Sequence, residues 1–103
     1  MERIKKLQDY IKSSPRDSFL KHALALEYIK VGDDDSAREI FAALLAHEPG
    51  YIGSYYHLAK LLERKGEQEE AIKTYRQGMG EAKKADDQHT YNELQAAYED
   101  LLY

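Results

Sequence analysis

The side chains with the greatest potential for metal chemistry are four histidines and a run of three aspartates. The histidines are His22, His47, His57 and His89, and no two of them stand in the H-x3-H or HExxH spacings that place two imidazoles on one face of a helix. The run Asp33-Asp34-Asp35 lacks the alternating ligands and the glycine of a calcium loop. We therefore interpret the aspartates as helix-capping residues and expect no bound metal.

Two further patterns have some letters of a catalytic or nucleotide-binding motif without its context. Ser36-x2-Glu39 has the spacing of a capping box, in which both side chains satisfy N–H groups at a helix start, and we do not interpret it as a nucleophile. Gly78-x-Gly80 lies inside a predicted helix and lacks the rest of a phosphate-binding loop.

Most of the nine tyrosines occupy repeat core positions, so packing accounts for them. The sequence predicts a non-catalytic protein without a cofactor.

Composition and charge restrict the class of partner. The chain has 103 residues, 33% charged and 43% apolar, which suits one soluble, helix-rich domain. Its formal net charge of −4 argues against nucleic-acid binding, which needs a basic surface. No apolar run is long enough to span a membrane, and the first residues do not resemble a secretory signal. The absence of cysteine is compatible with the cytoplasm. We expect a cytoplasmic protein that binds neither nucleic acid nor membrane.

An interval of 34 residues organises the chain, because the segment that begins at Pro15 repeats from Pro49. The identical positions supply the small residues, the large apolar residue and the turn glycine that packed helices need. They are Pro15/Pro49, Leu24/Leu58, Ala25/Ala59, Gly32/Gly66 and Ala37/Ala71. A repeat of this length indicates stacked pairs of antiparallel helices, each unable to bury its apolar face alone.

Apolar residues at three- and four-residue steps predict six helices and no strand. The predicted ranges are 2–13, 15–31, about 34–47, 51–65, 68–84 and about 87–102. The first helix should bury Ile4, Leu7, Tyr10 and Ile11. Ser14 is predicted to cap the second helix, with Pro15 at its first position.

This pattern resembles the tetratricopeptide repeat, whose signature is W-x2-L-G-x2-Y, then A-x3-F, then P. The first full unit reads Lys21-x2-Leu24-Ala25-x2-Tyr28, Ala37-x3-Phe41 and Pro49. The second reads Tyr55-x2-Leu58-Ala59-x2-Leu62 and Ala71-x3-Tyr75, with Lys83 in place of a proline. Tyr91-x2-Leu94-Gln95-x2-Tyr98 matches a further first helix of a unit.

The resemblance implies an all-α, right-handed α-solenoid of antiparallel helix pairs with about six helices. It divides the chain into a half-repeat helix over 1–14, repeats over 15–48 and 49–84, and a capping helix over 85–103. Gly78 falls where the family usually has a small packing residue, so close helix approach is expected there. Nothing in the sequence explains Gly80, and we expect Gly80→Ala to stabilise the fold.

Members of this family commonly bind extended peptides or helices on a concave face formed by the first helix of each pair. The resemblance therefore implies a partner-binding groove. Its residues would be Phe19, His22, Leu26, Ile29 and Lys30 in the first repeat, Tyr56, Lys60, Glu63 and Arg64 in the second, and Asn92 in the capping helix. Gly53, Ala96, Glu99 and Asp100 would flank them. This mixture suits a peptide with one or two apolar side chains and an acidic group near Lys60 and Arg64. The alternative for Leu26 and Ile29 is burial against a neighbouring helix.

Three functional hypotheses remain open on the sequence. The first is an adaptor that binds a segment of another protein in the groove. The second is a weak homo-oligomer, because residues 1–16 carry a local charge of +3 and residues 85–103 carry −5, and such ends attract between copies. The simpler interpretation of these charges is two solvated faces. The third is a regulatory module that works beside a separate enzyme.

Overall fold

The structure, a computed structural model, describes residues 2–103. Within that range the chain forms six α-helices and no strand, which confirms the all-α prediction. The helices are α1 (Glu2–Ser13), α2 (Ser18–Lys30), α3 (Asp34–His47), α4 (Gly53–Arg64), α5 (Gln68–Lys84) and α6 (Gln88–Leu102). They group into two compact units, the first ending at His47 and the second beginning at Glu48.

In unit 1, α2 packs against both α1 and α3. Ile4 and Leu7 of α1 meet Leu24 of α2 in a buried cluster. The side chains packed against this cluster are Ile11, Leu20, Ala23, Tyr28 and Ile40. Tyr10 was expected on the same buried face, but it is 56% exposed. That expectation was wrong because the buried stripe of α1 runs through residues 4, 7 and 11, and residue 10 lies beside it.

In unit 2, α5 packs against both α4 and α6. The repeat positions are filled as the sequence predicts, with Ala59, Ala71 and Tyr75 completely buried. Leu94 of α6 is also completely buried, so α6 is an integral part of this unit. Burial of such side chains is the main favourable contribution to folding.

Three turns that join successive helices share one hydrogen-bonding pattern. Gly32 and Gly66 have φ of 82° and 78°, and Asp86 has φ of 55°. After each of these residues, the next backbone N–H donates to the carbonyl five positions earlier, at 2.8–2.9 Å. This is the Schellman arrangement, which needs a left-handed residue and therefore favours glycine. Asp86 adopts the conformation with a side chain that makes it less favourable.

Aspartates rather than serines cap α2, α3 and α6. Asp17 accepts a hydrogen bond from the Leu20 N–H at 3.1 Å, so α2 begins at Ser18 and the predicted start at Pro15 is wrong. The Ser14 N–H instead donates to the Tyr10 carbonyl at 2.9 Å and closes α1. Asp33 accepts from the N–H of Ser36 at 3.1 Å and from its hydroxyl at 2.7 Å. Ser36 is thus a partner of the cap, and the capping-box interpretation of Ser36 was wrong.

The helix α5 lies very close to both α4 and α6 at Gly78. A Cβ atom placed there would lie 2.7 Å from the Cβ of Tyr55 in α4 and 3.0 Å from a methyl group of Leu94 in α6. These distances are too short for carbon atoms. They confirm that close helix approach explains Gly78. Gly80, two residues later, has no atom within 4 Å of its would-be Cβ.

Candidate protein-binding surfaces

The first-repeat residues predicted to bind a partner lie on one helix. We call them the α2 surface, and they are Phe19, His22, Leu26, Ile29 and Lys30. Phe19, His22 and Leu26 are three or four residues apart, and Ile29 and Lys30 follow Leu26 by three and four residues, which places the set on one side of the helix. Phe19 is 66% exposed, Lys30 is exposed, and the other three are half-buried. Neither Leu26 nor Ile29 is fully buried, so both retain apolar area that another molecule can cover.

Two contacts tie the α2 surface to its neighbours in unit 1. The His22 ring meets the edge of Phe41 in α3, with ring centroids 5.7 Å apart. Glu27 accepts a hydrogen bond from Nε of Arg3 in α1 at 2.6 Å, and it lies 3.7 Å from the Lys30 ammonium. The charge of Lys30 is therefore partly balanced. The sequence did not reveal the role of Glu27, because an Arg3–Glu27 pair spans two helices and has no local spacing signal.

The second-repeat residues form the α4 surface, which consists of Tyr56, Lys60, Glu63 and Arg64. The Lys60 ammonium lies over the Tyr56 ring, 5.6 Å from its centroid. It is also 3.7 Å from a carboxylate oxygen of Glu63, which is an ion pair but too long for a hydrogen bond. The structure therefore brings three of the predicted residues together in one row along α4. Arg64 follows at the exposed end of this row.

The Glu63 carboxylate is held in place by a buried tyrosine. The Tyr75 hydroxyl of α5 donates a hydrogen bond to the Glu63 carboxylate. Burial is the main reason that the pKa of Tyr75 lies far above its ordinary value, and the hydrogen bond to Glu63 raises this pKa further. The sequence placed Tyr75 in the core but missed this contact. The available signal was a tyrosine where the first repeat has Phe41, since a buried hydroxyl needs a partner.

His57 stands beside the row, half-buried on the same helix. Burial lowers its pKa, while the nearby Glu93 carboxylate of α6 acts in the opposite direction and Arg64 reinforces the lowering. The imidazole is thus favoured in its neutral form. A neutral His57 leaves Lys60 and Arg64 as the cations of the α4 surface.

The predicted α6 residue, Asn92, is exposed and bonded within its own helix. Its Oδ1 accepts a hydrogen bond from Nε2 of Gln88 at 2.7 Å. The flanking positions Gly53, Ala96, Glu99 and Asp100 are exposed as well. These side chains are accessible, and the participation of Asn92 in partner binding stays a prediction.

A surface feature that sequence reasoning missed lies where α5 turns into α6. Lys83 places its ammonium 5.9 Å from the ring centroid of Tyr91, and Arg76 places its guanidinium 5.5 Å from that of Tyr98. A surface pocket of about 260 Å³ adjoins Tyr91. It is lined by Ala82, Lys83, Asp86, Asp87, Gln88 and Tyr91. No sequence signal marked it, because its walls come from two helices and the turn between them.

Residues 2–103 contain no cluster of three or more potential metal ligands. None of the helices in that range combines the length and the apolar character needed to cross a bilayer.

Helix pairs repeated at a 34-residue interval define a helical-repeat protein. The family model for the tetratricopeptide repeat matches residues 28–98. The chain therefore belongs to the tetratricopeptide repeat family, as the signature residues predicted. Members of this family are in general non-catalytic protein-interaction modules, which sets the class of function.

Comparison with solved structures agrees with this assignment. The chain is similar to a tetratricopeptide repeat domain protein from Salinibacter ruber, with 39% identity and a TM-score of 0.81 over 84% of this chain and 88% of that one. It is similar to MamA, with 26% identity and a TM-score of 0.76 over 81% of this chain and 48% of that one. A protein from Bordetella parapertussis, 23% identical with a TM-score of 0.83 over 96% of this chain and 86% of that one, shares the fold. A comparison with curated proteins gave no match.

Proposed function

We propose that this protein is a non-catalytic interaction module that binds a peptide or helix of a partner protein on the first helices of its repeats. The α4 surface of unit 2 is the principal contact, and the α2 surface of unit 1 is a separate, more apolar contact. The module needs no cofactor, and its working location is the cytoplasm. Support comes from the class of function that the family has and from the arrangement of side chains on α4.

The observation on which the proposal depends is the surroundings of the Lys60 ammonium. Its ammonium is positioned by the Tyr56 ring and by the Glu63 charge. Within residues 2–103, however, no oxygen lies within hydrogen-bonding distance of it. An ammonium has three donors. Lys60 is therefore a pre-positioned cation whose donors are available, next to an aromatic ring that is half-exposed.

This arrangement matches a particular peptide chemistry. An apolar side chain of the partner would cover Tyr56, and a carboxylate two or three residues along would accept hydrogen bonds from Lys60 and Arg64. Charge-assisted hydrogen bonds of this kind are stronger than neutral ones. Glu63 would remain bound to Tyr75, so the partner's acid would join the ion pair without displacing it. Within unit 1, Phe19, Leu26 and Ile29 on α2 offer apolar contacts of their own to a partner.

The test is selection from a random peptide library displayed on phage, with the intact protein immobilised. Enriched peptides are synthesised, and their affinity is measured by fluorescence anisotropy. We expect enrichment of an apolar residue close to aspartate or glutamate. Lys60→Met should weaken binding roughly ten- to a hundred-fold, the range for one charge-assisted hydrogen bond.

The matched control is Lys73→Met, which removes an exposed lysine from α5 whose carboxylate neighbour, Glu70, is 3.9 Å away. Circular dichroism establishes that each variant is folded. Equal losses in both variants would indicate a non-specific charge effect and contradict the assignment. A peptide affinity that is also unchanged by Tyr56→Ala would exclude the α4 surface as the binding site.

Self-assembly is a second candidate function, and it uses other helices. The specific observation in its favour is the charge of the terminal helices. The helix α1 contains four lysines or arginines and two acidic residues, whereas α6 contains three acidic residues and no lysine or arginine. Opposite charges of this kind favour contact between copies at low salt.

A further inference from the structure

Two contacts in unit 2 define how the second helix of a repeat lies on the first. Gly78 of α5 faces Tyr55 of α4, where an added Cβ would lie 2.7 Å from the Tyr55 Cβ. The Tyr75 hydroxyl of α5 reaches Glu63, two turns further along α4. The helices run antiparallel, so the beginning of the second helix lies near the end of the first. These two pairs set a register that can be applied to other helices of the chain.

The helix α6 has the residues of a first helix in the same register. The repeat is 34 residues long, and the turn between α5 and α6 adds two more. A shift of 36 residues therefore aligns Tyr91 with Tyr55 and Glu99 with Glu63. Tyr55 is only 4% exposed because α5 covers it. Tyr91 is half-buried and Glu99 is exposed. Among the described residues, the helix that packs against α6 is α5.

The helix α1 has the residues of a second helix. Two steps of 34 residues align Tyr10 with Gly78 and Leu7 with Tyr75. Tyr10 is 56% exposed, and the neighbouring Lys6 is exposed with no ion pair among the described residues. In a second helix, side chains lean towards the helix start. That direction points Lys6 towards the end of any first helix on which α1 lies.

From this register we infer that α1 of a second copy docks antiparallel on α6. Tyr10 would lie against Tyr91 and beside the pocket of about 260 Å³. Leu7, at the position of Tyr75, is 6% exposed, so the exposed Lys6 just before it would place its ammonium against Glu99. The inference rests on the second candidate function, self-assembly through the ends, and specifies its contact. Each copy offers one α1 and one α6, so the contact is heterologous and links copies into a closed ring or an open chain.

The same residues indicate a weak, salt-dependent contact. Tyr10 stands where the complete repeat has glycine, so the docked helices must lie further apart than α4 and α5. Lys83 already covers one side of Tyr91 at 5.9 Å, and it adds a cation that α1 must approach. Attraction therefore depends on acidic groups near the two ends of α6. Glu99 lies near its end. Asp86 and Asp87, which line the pocket, lie just before its start and would face Lys12.

The experiment is sedimentation equilibrium of the full chain over a wide range of protein concentration. We expect reversible association at low salt that is lost at about 1 M salt, where the screening length is about 3 Å. Lys6→Glu and Glu99→Lys should each raise the dissociation constant roughly three- to ten-fold, the effect of replacing an attraction by a repulsion. An equimolar mixture of the two variants restores opposite charges at the contact and should recover the association.

The matched controls are Lys73→Glu and Glu69→Lys, which make the same changes of net charge on α5. They should leave the dissociation constant unchanged. A wild-type protein that stays monomeric at low salt and high concentration would overturn self-assembly together with this contact. A wild-type protein that associates, while the mixture of Lys6→Glu and Glu99→Lys does not recover, would overturn the α1–α6 contact and leave self-assembly through another surface standing.

Discussion

Two glycines in one helix, Gly78 and Gly80, have opposite surroundings. The would-be Cβ of Gly78 collides with Tyr55 and Leu94, whereas that of Gly80 meets nothing. Glycine in a helix costs about 0.5–1 kcal/mol relative to alanine. At Gly78 the close approach of three helices offsets this cost, and at Gly80 nothing in the structure does.

Alanine at these two positions should change stability in opposite directions. We expect Gly80→Ala to raise the free energy of unfolding by about 0.5–1 kcal/mol. Gly78→Ala should lower it by about 1–3 kcal/mol, the usual effect of overfilling a core. Urea unfolding followed by circular dichroism measures both. A destabilised Gly80→Ala protein would show that this backbone position has a role the structure does not explain.

The stability of the fold should depend on pH through His57. Its pKa in the folded protein is below the ordinary value of 6.5, chiefly because of burial. As the pH falls through 6.5, the unfolded chain therefore binds a proton that the folded chain does not, and the free energy of unfolding decreases. The loss continues until the pH reaches the folded-state pKa.

Urea unfolding at pH 7.5 and at pH 5.5 tests this dependence in the wild type and in His57→Gln. Other titrating groups are common to both proteins and cancel in the difference. The wild type should lose more stability between the two pH values than the variant does. Equal losses in the two proteins would contradict the lowered pKa of His57.

Among the helix-joining turns, the one between α5 and α6 has the least favourable residue. Asp86 has φ of 55° where the other two Schellman turns have glycine. Asp86→Gly should therefore raise the free energy of unfolding by about 0.5–1 kcal/mol. Thermal and urea unfolding measure the change.

The control for this turn is Ala85→Gly. Ala85 precedes Asp86 and has φ of −83°, so glycine brings no conformational relief there and should lower stability by about 0.5–1 kcal/mol. If Asp86→Gly also lowered stability, the Asp86 side chain would have to contribute more than its backbone conformation costs.

At the scale of the helices, periodicity predicted which segments are helical but not which residues begin them. The ranges of α1 and α5 agree with the prediction at both ends. The start of α2 does not, because Ser14 and Asp17 are both good caps and only three-dimensional packing decides between them. The expected burial of Tyr10 was wrong for a similar reason. On a short helix, apolar residues at three- and four-residue steps can be grouped into two different stripes, and only one of them faces the core.

At the scale of the whole chain, the sequence predicted the family, but not the side-chain contacts on the first helices. The family signature depends on local spacing, which a sequence contains. The Tyr56–Lys60–Glu63 row and its support from Tyr75 involve side-chain directions on two helices. The pocket beside Tyr91 requires the path of a turn as well.

Removing α6 should destabilise unit 2 as a whole. Leu94 is completely buried and Ala97 is 6% exposed, so a chain cut after Ala85 exposes the apolar side of α5 that they cover. We expect this fragment to aggregate or to lose its cooperative thermal transition. Removal of Tyr103 alone, which is 99% exposed, is the control and should have no effect. A soluble fragment with a cooperative transition would show that α6 is dispensable for folding.

The central claim is that partner segments bind on the α4 surface, and amide chemical-shift mapping tests it most directly. A peptide selected on the wild-type protein is titrated into the isotope-labelled full chain, and backbone shifts are followed by NMR. The largest shifts should occur at Tyr56, Lys60 and Arg64, with smaller ones on α2. Shifts confined to α1, or to the outer side of α6, with none on α4, would contradict the claim.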